Sequence, residues 1–294
     1  LPVSQTAGRF APSPTGPLHA GSLLAATASY LDARTVGNLW LVRIDDLDVD
    51  RNVAGAESAI LRTLEAHGLT WDRPVIRQSE RLDRYRDAIA HLIEAGHVFY
   101  CTCSRSRLKG RRIYPGFCRA RHRPVPNAAI RLRVPDAPVS FHDLIAGPHN
   151  ENLARSCGDF AIRRRDGIFA YQLATAVDDG DPLIARVVRG GDLLDNTARQ
   201  IYLMRLLGLH PPEYAHLPVL VRHDGRKLSK QTHAPAIDDG RAGANLARIF
   251  GYLGIESPDD AARWTPAELI EWGTARWSVG AVRSGELPVD VSAG

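Results

Sequence analysis

The 294-residue chain is 44% hydrophobic, 24% charged and 7% aromatic, which excludes disorder and leaves room for one large domain or two modest ones with a buried core. No run approaches the ~18 consecutive apolar residues of a membrane helix, Leu1 to Arg9 lacks a signal-peptide layout, and four cysteines are too few for a disulfide framework, so a cytoplasmic protein with no membrane partner is expected. The formal charge of +4 is unevenly spread: ten basic and no acidic residues lie between Cys101 and Pro135, leaving 27 basic against 33 acidic elsewhere, a lopsidedness that points to nucleic acid.

In chain order, Ser22 to Arg34 has the Ala/Leu-rich composition of a helix stopped by Gly37-Asn38. Leu39 to Ile44 reads as a strand buried on both faces. Val53 to His67 is helical, with Ile60, Leu61 and Leu64 on one side and Gly68 as the stop. Ser79 to Ala95 is a second such helix, with Ser79 as its N-cap and Gly96 ending it. Val98 to Tyr100 leads out as a short strand. The stretch 101–178 then breaks the alternation: it is rich in Arg and Pro, has short extended pieces at Ala129–Val134 and Phe160–Arg163, and reads as an insertion. Alternation resumes with a strand at Leu183–Val188 and a helix at Asp192–Leu207. Beyond residue 236 lies a short tail with helical patterns at Asn245–Tyr252 and Thr265–Ala275, the latter opened by Thr265-Pro266. The outline is a doubly wound α/β domain in two halves, 1–100 and 179–236, interrupted once by 101–178 and followed by a helical stub, 237–294.

The segment Gly8-Arg9-Phe10-Ala11-Pro12-Ser13-Pro14-Thr15-Gly16-Pro17-Leu18-His19-Ala20-Gly21-Ser22 places a Pro- and Gly-punctuated loop directly before a helix start. Free N–H groups and a positive dipole end there suit a phosphate, and His19 at that mouth can donate to one. Neither a dinucleotide G-x-G-x-x-G nor a P-loop is present. Downstream, Lys227-Leu228-Ser229-Lys230-Gln231 follows a turn signal, Asp224-Gly225-Arg226.

His19-Ala20-Gly21-Ser22 resembles the HIGH signature of class I aminoacyl-tRNA synthetases, and Lys227 to Gln231 resembles their KMSKS signature. The leading R-F-A-P-S-P-T-G is similar to the glutamyl and glutaminyl branch. The run Gly21 to Ala26, Lys230 to Ala236 and the short tail resemble its smaller relatives, the glutamyl-queuosine tRNA(Asp) synthetases. The likeness runs from about Gly8 to Ala236. It implies a Rossmann-type parallel sheet, ATP with Mg2+ and L-glutamate as substrates, and transfer of glutamate from an adenylate to the queuosine base in the anticodon loop of tRNA(Asp). The basic insertion would then grip that loop, through residues such as Arg119, Arg121 and Arg123, with no obligate protein partner. A shortened glutamyl-tRNA synthetase acting on the acceptor end, or a non-catalytic zinc-containing RNA-binding module, are the alternatives.

By the same resemblance, His19, Gly21 and Ser22 hold the triphosphate, and Lys230, helped by Lys227, covers the leaving pyrophosphate. Arg9, Phe10, Ala11, Pro12, Ser13, Tyr171 and Arg189 form the glutamate pocket, the arginines meeting carboxylates. The family pattern R-I-E-D-L-D stands here as Arg43-Ile44-Asp45-Asp46-Leu47-Asp48. Asp45 therefore replaces the glutamate expected to hold the substrate ammonium, one methylene shorter, with Asp46 or Asp48 as substitutes.

Cys101-Thr102-Cys103 and Cys118 offer three soft ligands and call for a fourth. Ligand chemistry alone nominates His122. The resemblance nominates Tyr114, because Tyr114-Pro115-Gly116-Phe117-Cys118 matches the Y-x-x-x-C spacing of the relatives. A structural Zn2+ is expected on Cys101, Cys103, Tyr114 and Cys118, with Cys157 left over as a buried thiol.

Overall fold

A computed structural model describes residues 5–228 and 235–290. Strand β1 (Ala7–Phe10) leads to helix α1 (Ala20–Thr35), and β2 (Leu39–Ile44) returns parallel to β1, register Gly8 to Trp40. Helix α2 (Ala56–Ala66) follows, then β3 (Ile76–Arg77), parallel to β2, and α3 (Leu82–Glu94). Strand β4 (Val98–Cys101) starts a small antiparallel sheet with β5 (Ala129–Leu132) and β8 (Ala161–Arg163). Between β4 and β8 lie two one-turn helices, α4 (Arg105–Leu108) and α5 (Leu153–Ser156), and a hairpin of β6 (Pro138–Asp143) and β7 (Gly147–Asn152). Helix α6 (Tyr171–Asp179), β9 (Arg186–Gly190), α7 (Leu194–Leu206), β10 (Glu213–Leu217) and β11 (Val219–Val221) complete the central region. In the tail, α8 (Ala242–Leu253) and α9 (Pro266–Arg276) precede β12 (Glu286–Pro288), which pairs in parallel with β11.

The two halves of the α/β unit join through Ala7. Its N–H donates to Leu183 (2.7 Å) and its carbonyl accepts from Ala185 (3.1 Å), a parallel bridge to Ile184. Strand order is therefore β3-β2-β1-β9-β10-β6-β7, parallel except for the terminal hairpin. The chain reverses its direction of sheet growth between β1 and β9, where doubly wound sheets open a crevice beyond their carboxyl ends.

Strand periodicity then sorts the side chains. On β9 and β10, Val188, Ala215 and Leu217 join the apolar cluster shared with Phe10, Val42 and Ile44. Val187 and Tyr214, one residue away, join a second cluster with Tyr85, Leu173 and Ile201. Adjacent strand residues point to opposite faces, so Arg9, Arg43, Arg189 and His216 share the second face. All four are buried, an arrangement that needs partners close by.

Helix α1 is capped by a side chain: the His19 ring Nδ1 accepts from Gly21 N–H (3.1 Å) and Ser22 N–H (3.3 Å), so the helix begins at Ala20, two residues earlier than composition suggests. Helix α2 starts at Ala56 rather than Val53, because Gly55 sits at φ 76°, in the left-handed region. Ser79 is not the N-cap of α3. Its N–H and hydroxyl bond the Asp46 carboxylate at 2.8 and 2.6 Å, and the helix opens three residues later.

The tail belongs to the main core: Leu246, Ile249, Phe250, Leu253, Leu269 and Ile270 are buried in the cluster built on α1. A Cβ at Gly273 would stand 2.7 Å from the Phe250 ring and 3.4 Å from Leu31, so glycine is what lets α9 seat against α8 and α1. The Thr265 and Glu268 side chains form the reciprocal capping box at the start of α9.

Candidate active site and metal centre

A cavity of about 400 Å3 opens at the carboxyl ends of β1, β2 and β9. Arg9, Phe10, Ala11, Pro12, Ser13, His19, Gly21, Ser22, Asp45, Tyr171, Arg189 and Lys227 all line it. Lys230 lies outside the described residues. The loop after β1 is tied down by two backbone bonds: Asp45 N–H to Pro12 O at 3.0 Å and Val53 N–H to Pro14 O at 2.9 Å. The two sequence signatures meet here. An added Cβ at Gly21 would lie 3.1 Å from the His19 ring and 4.0 Å from the Leu228 carbonyl, and Lys227 Nζ bonds Asp192 at 2.6 Å. Because Nδ1 of His19 accepts two backbone N–H groups, the ring proton is assigned to Nε2, making that nitrogen a donor.

The electrostatics centre on α6. Arg9 grips Asp179 with Nε (3.1 Å) and Nη2 (2.7 Å), while Arg43 Nη1 takes the same carboxylate at 2.6 Å. Against the cost of burial, Arg9 and Arg43 hold Asp179 well below the usual carboxylate range. Arg43 also binds Asp45 through Nε at 2.7 Å and Nη2 at 3.3 Å. Asp45 responds differently: burial outweighs Arg43 and pushes its carboxyl up to about 6. Asp46 and Asp48 are committed elsewhere, to Ser79 and to Arg164 (3.3 Å). Tyr171, at the first turn of α6, is 38% exposed and so faces the cavity rather than a core.

Arg189 is the odd member. Its Nε donates to His216 Nε2 at 3.0 Å and its Nη2 to Thr197 Oγ1 at 2.9 Å, both neutral acceptors. Its Nη1 is buried without a hydrogen-bond partner, and no carboxylate pairs with it among the described residues. Behind it, His216 Nδ1 donates to Asp143 Oδ2 at 2.6 Å. Burial pushes the His216 imidazole down, keeping it neutral with Nε2 as acceptor. Burial opposes ionisation of Asp143, but the hydrogen bonds from His216 and Ala146 bring it down to about 2. Asp143 and His216 escaped the reading of the sequence. The available signal is charge inside apolar strands, as in Val187-Val188-Arg189 and Tyr214-Ala215-His216.

In the insertion, the Sγ atoms of Cys101, Cys103 and Cys118 lie within 4.8 Å of one another and are buried. Cys103 and Cys118 are 3.7 Å apart, close to the ~3.8 Å tetrahedral edge implied by Zn–S bonds of ~2.3 Å. The Tyr114 hydroxyl stands 3.5 Å from Cys101 and 3.9 Å from Cys103 and accepts the Cys118 N–H at 2.8 Å. Three thiols so placed can hold a metal ion. His122 is turned to Arg133, Nδ1 to Nη2 3.1 Å, and is not part of the group. Cys157 is half-buried and lies outside the cluster.

The basic stretch divides in two. Arg119 pairs with Asp159 (3.1 Å), Arg121 bonds Thr102 (2.8 Å), and Arg131 covers the Tyr114 ring at 4.3 Å. Those three side chains are tied to the insertion, although Arg119 and Arg121 stay exposed. Arg105, Arg107, Lys109, Arg111, Arg112 and Arg123 are exposed as well, and Arg107 and Arg111 flank the exposed Phe117 ring at 4.4 and 5.6 Å.

A sheet that reverses at β1 and β9, a helix start facing a lysine loop, and buried arginines between them define the catalytic unit of a class I synthetase. The chain matches the family model of tRNA synthetases class I (E and Q), catalytic domain, over residues 5–125 and 117–245. It superposes with a TM-score of 0.80 and 25% identity on a glutamate tRNA ligase from Elizabethkingia meningosepticum in complex with its amino acid, covering 98% of this chain and 68% of that one. It is 51% identical over 271 residues, 92% of each chain, to a glutamyl-Q tRNA(Asp) synthetase of Ectopseudomonas mendocina. It is 49% identical over 276 residues, 94% of each, to the protein of that name in Pseudomonas aeruginosa PAO1. The chain belongs to the glutamyl-Q tRNA(Asp) synthetase family.

Proposed function

We propose that the protein activates L-glutamate with ATP to glutamyl-adenylate and transfers the glutamate to the queuosine base in the anticodon loop of tRNA(Asp). The observation that carries this reading is Arg189: a buried guanidinium whose Nη1 has no partner, lining a cavity beside a helix start. A buried cation held only by neutral groups calls for an anion from the ligand, and an amino-acid carboxylate fits a guanidinium. Asp143 and His216 position Arg189, Arg9 stands beside it, Asp45 receives the ammonium, and Tyr171 and Ser13 close the pocket.

In the first step the glutamate α-carboxylate attacks the α-phosphorus of ATP, which enters with Mg2+, and the bond to pyrophosphate breaks. His19 Nε2–H, the positive dipole end of α1 and Lys227, with Lys230, neutralise charge that builds on the phosphates. In the second, a hydroxyl of the base attacks the activated carbonyl and AMP departs. Holding the reactants in line supplies most of the acceleration. The cysteine cluster takes no part in either step. With Tyr114 as fourth ligand it fits a structural Zn2+ that folds the basic insertion, 101–178, which then meets the RNA.

Glutamate-dependent exchange of pyrophosphate into ATP tests the first step. Exchange should occur in the wild type without tRNA and be lost in Arg189→Ala. Exchange that does not depend on glutamate would overturn the assignment.

A further inference from the structure

A second cavity, of about 460 Å3, shares no lining residue with the reaction cavity. Its lining includes Arg112, Phe141, His149, Asn150, Glu151 and Arg199. Leu193 lines the first cavity and Leu194 the second, so consecutive residues at the start of α7 form part of both walls.

Two polar atoms in this second cavity are buried without partners, His149 Nε2 and Arg199 Nε. Each such group lowers stability until a ligand or water satisfies it. Arg199 is fixed in place by Nη2 donating to the Asp195 carbonyl at 3.2 Å. The His149 ring stacks on Phe141 with centroids 5.0 Å apart and planes 15° apart, and Phe141 is backed edge-on by Tyr214. Glu151 is engaged by the Ser156 hydroxyl at 2.5 Å. Arg112, at the rim, belongs to the exposed basic set of the insertion. The cavity thus combines a guanidinium donor, an imidazole and a stacked ring pair, with the exposed Arg112 and Asp195 both on its lining; donor, imidazole and rings together suit a base edge and its π-face.

We propose that this second cavity receives the nucleotide adjacent to the one that accepts glutamate. The inference rests on the reading of the reaction pocket as the site of an RNA-directed transfer. An RNA strand with one base in the first cavity has its neighbour beside the Leu193–Leu194 wall. The second cavity then supplies grip and register, while the first supplies chemistry.

The test uses the full-length protein with queuosine-containing tRNA(Asp) and the variants Arg199→Gln, His149→Ala and Arg112→Glu. Arg112 is exposed, so its reversal leaves the fold intact. The expected result is a rise of about tenfold or more in KM for tRNA, with glutamate-dependent pyrophosphate exchange within twofold of wild type. Cys157 also lines the cavity, so bound tRNA should slow its alkylation, followed by peptide mass spectrometry. Unchanged KM for tRNA in all three variants, in a wild type that charges tRNA, would mean the cavity holds water only. Exchange falling in step with transfer would likewise overturn the inference. A wild type that transfers nothing to tRNA would overturn the reading on which it rests, and the inference with it.

Discussion

Asp45, one methylene shorter than the glutamate of the family pattern, pairs with Arg43 at 2.7 Å, and burial pushes its carboxyl up to about 6. The groups around it are Arg43, Asp178 and Asp179, of which Asp179 stays ionised throughout the working range. As pH falls through about 6, Asp45 takes up a proton in the free enzyme and loses the charge that attracts an ammonium. The value of kcat/KM for glutamate in pyrophosphate exchange should therefore fall on the acid side with an apparent pKa near 6, mainly through KM. In Asp45→Asn the KM should be high and independent of pH over that range. A limb that survives the substitution would assign the titration to another group. Arg189, by contrast, carries its message in what it lacks, a partner for Nη1. No reading of residue types alone exposes that, because an unpartnered nitrogen is a property of packing.

At the scale of elements, sequence patterns located the pieces and packing trimmed their ends. The strand Leu39–Ile44 is where its apolar run places it. Helix α3 starts late because Ser79 serves Asp46 rather than the helix. Strand β10, Glu-Tyr-Ala-His-Leu between prolines, and helix α6, which ends in two buried aspartates, gave weak periodic signals. Both are defined by contacts distant in sequence, Asp143 with His216 and Asp179 with Arg9. The start of α1 gives a direct test. A methyl group on residue 21 would press on the His19 ring at 3.1 Å, so Gly21→Ala should displace the cap. We expect kcat for exchange to drop by about tenfold to a hundredfold with KM for glutamate little changed; wild-type kcat would contradict the role given to His19. In the insertion, metal analysis should find about one zinc per chain. Cys103→Ser should lose it and lower the thermal midpoint, since metal binding there contributes directly to folding. Metal-free protein with an unaltered melting curve would remove the site. The same geometry refines what the basic residues do: Arg119 is tied to Asp159 and Arg121 to Thr102 beside the cluster, so Arg107, Arg111 and Arg112 are the more independent probes of RNA contact.

For the whole molecule, the +4 charge resolves into a body of net −6 and a ten-residue basic surplus within one insertion. The body holds the proposed reaction cavity. The insertion is not a detached appendage, because its hairpin pairs with β10 and its Asp143 orients the His216–Arg189 pair inside the body. Nor is the tail peripheral: α8 and α9 close the core over α1, and β12 extends β11 beside the Lys227 loop. No described helix is long and apolar enough to cross a membrane. The acceptor decides between transfer to queuosine and ordinary charging of a tRNA end. Labelled glutamate, ATP and the protein should be incubated with tRNA(Asp) carrying queuosine and with tRNA(Asp) lacking it. Label should enter only the queuosine-containing tRNA; equal labelling of both, or labelling of tRNA(Glu) instead, would contradict transfer to queuosine.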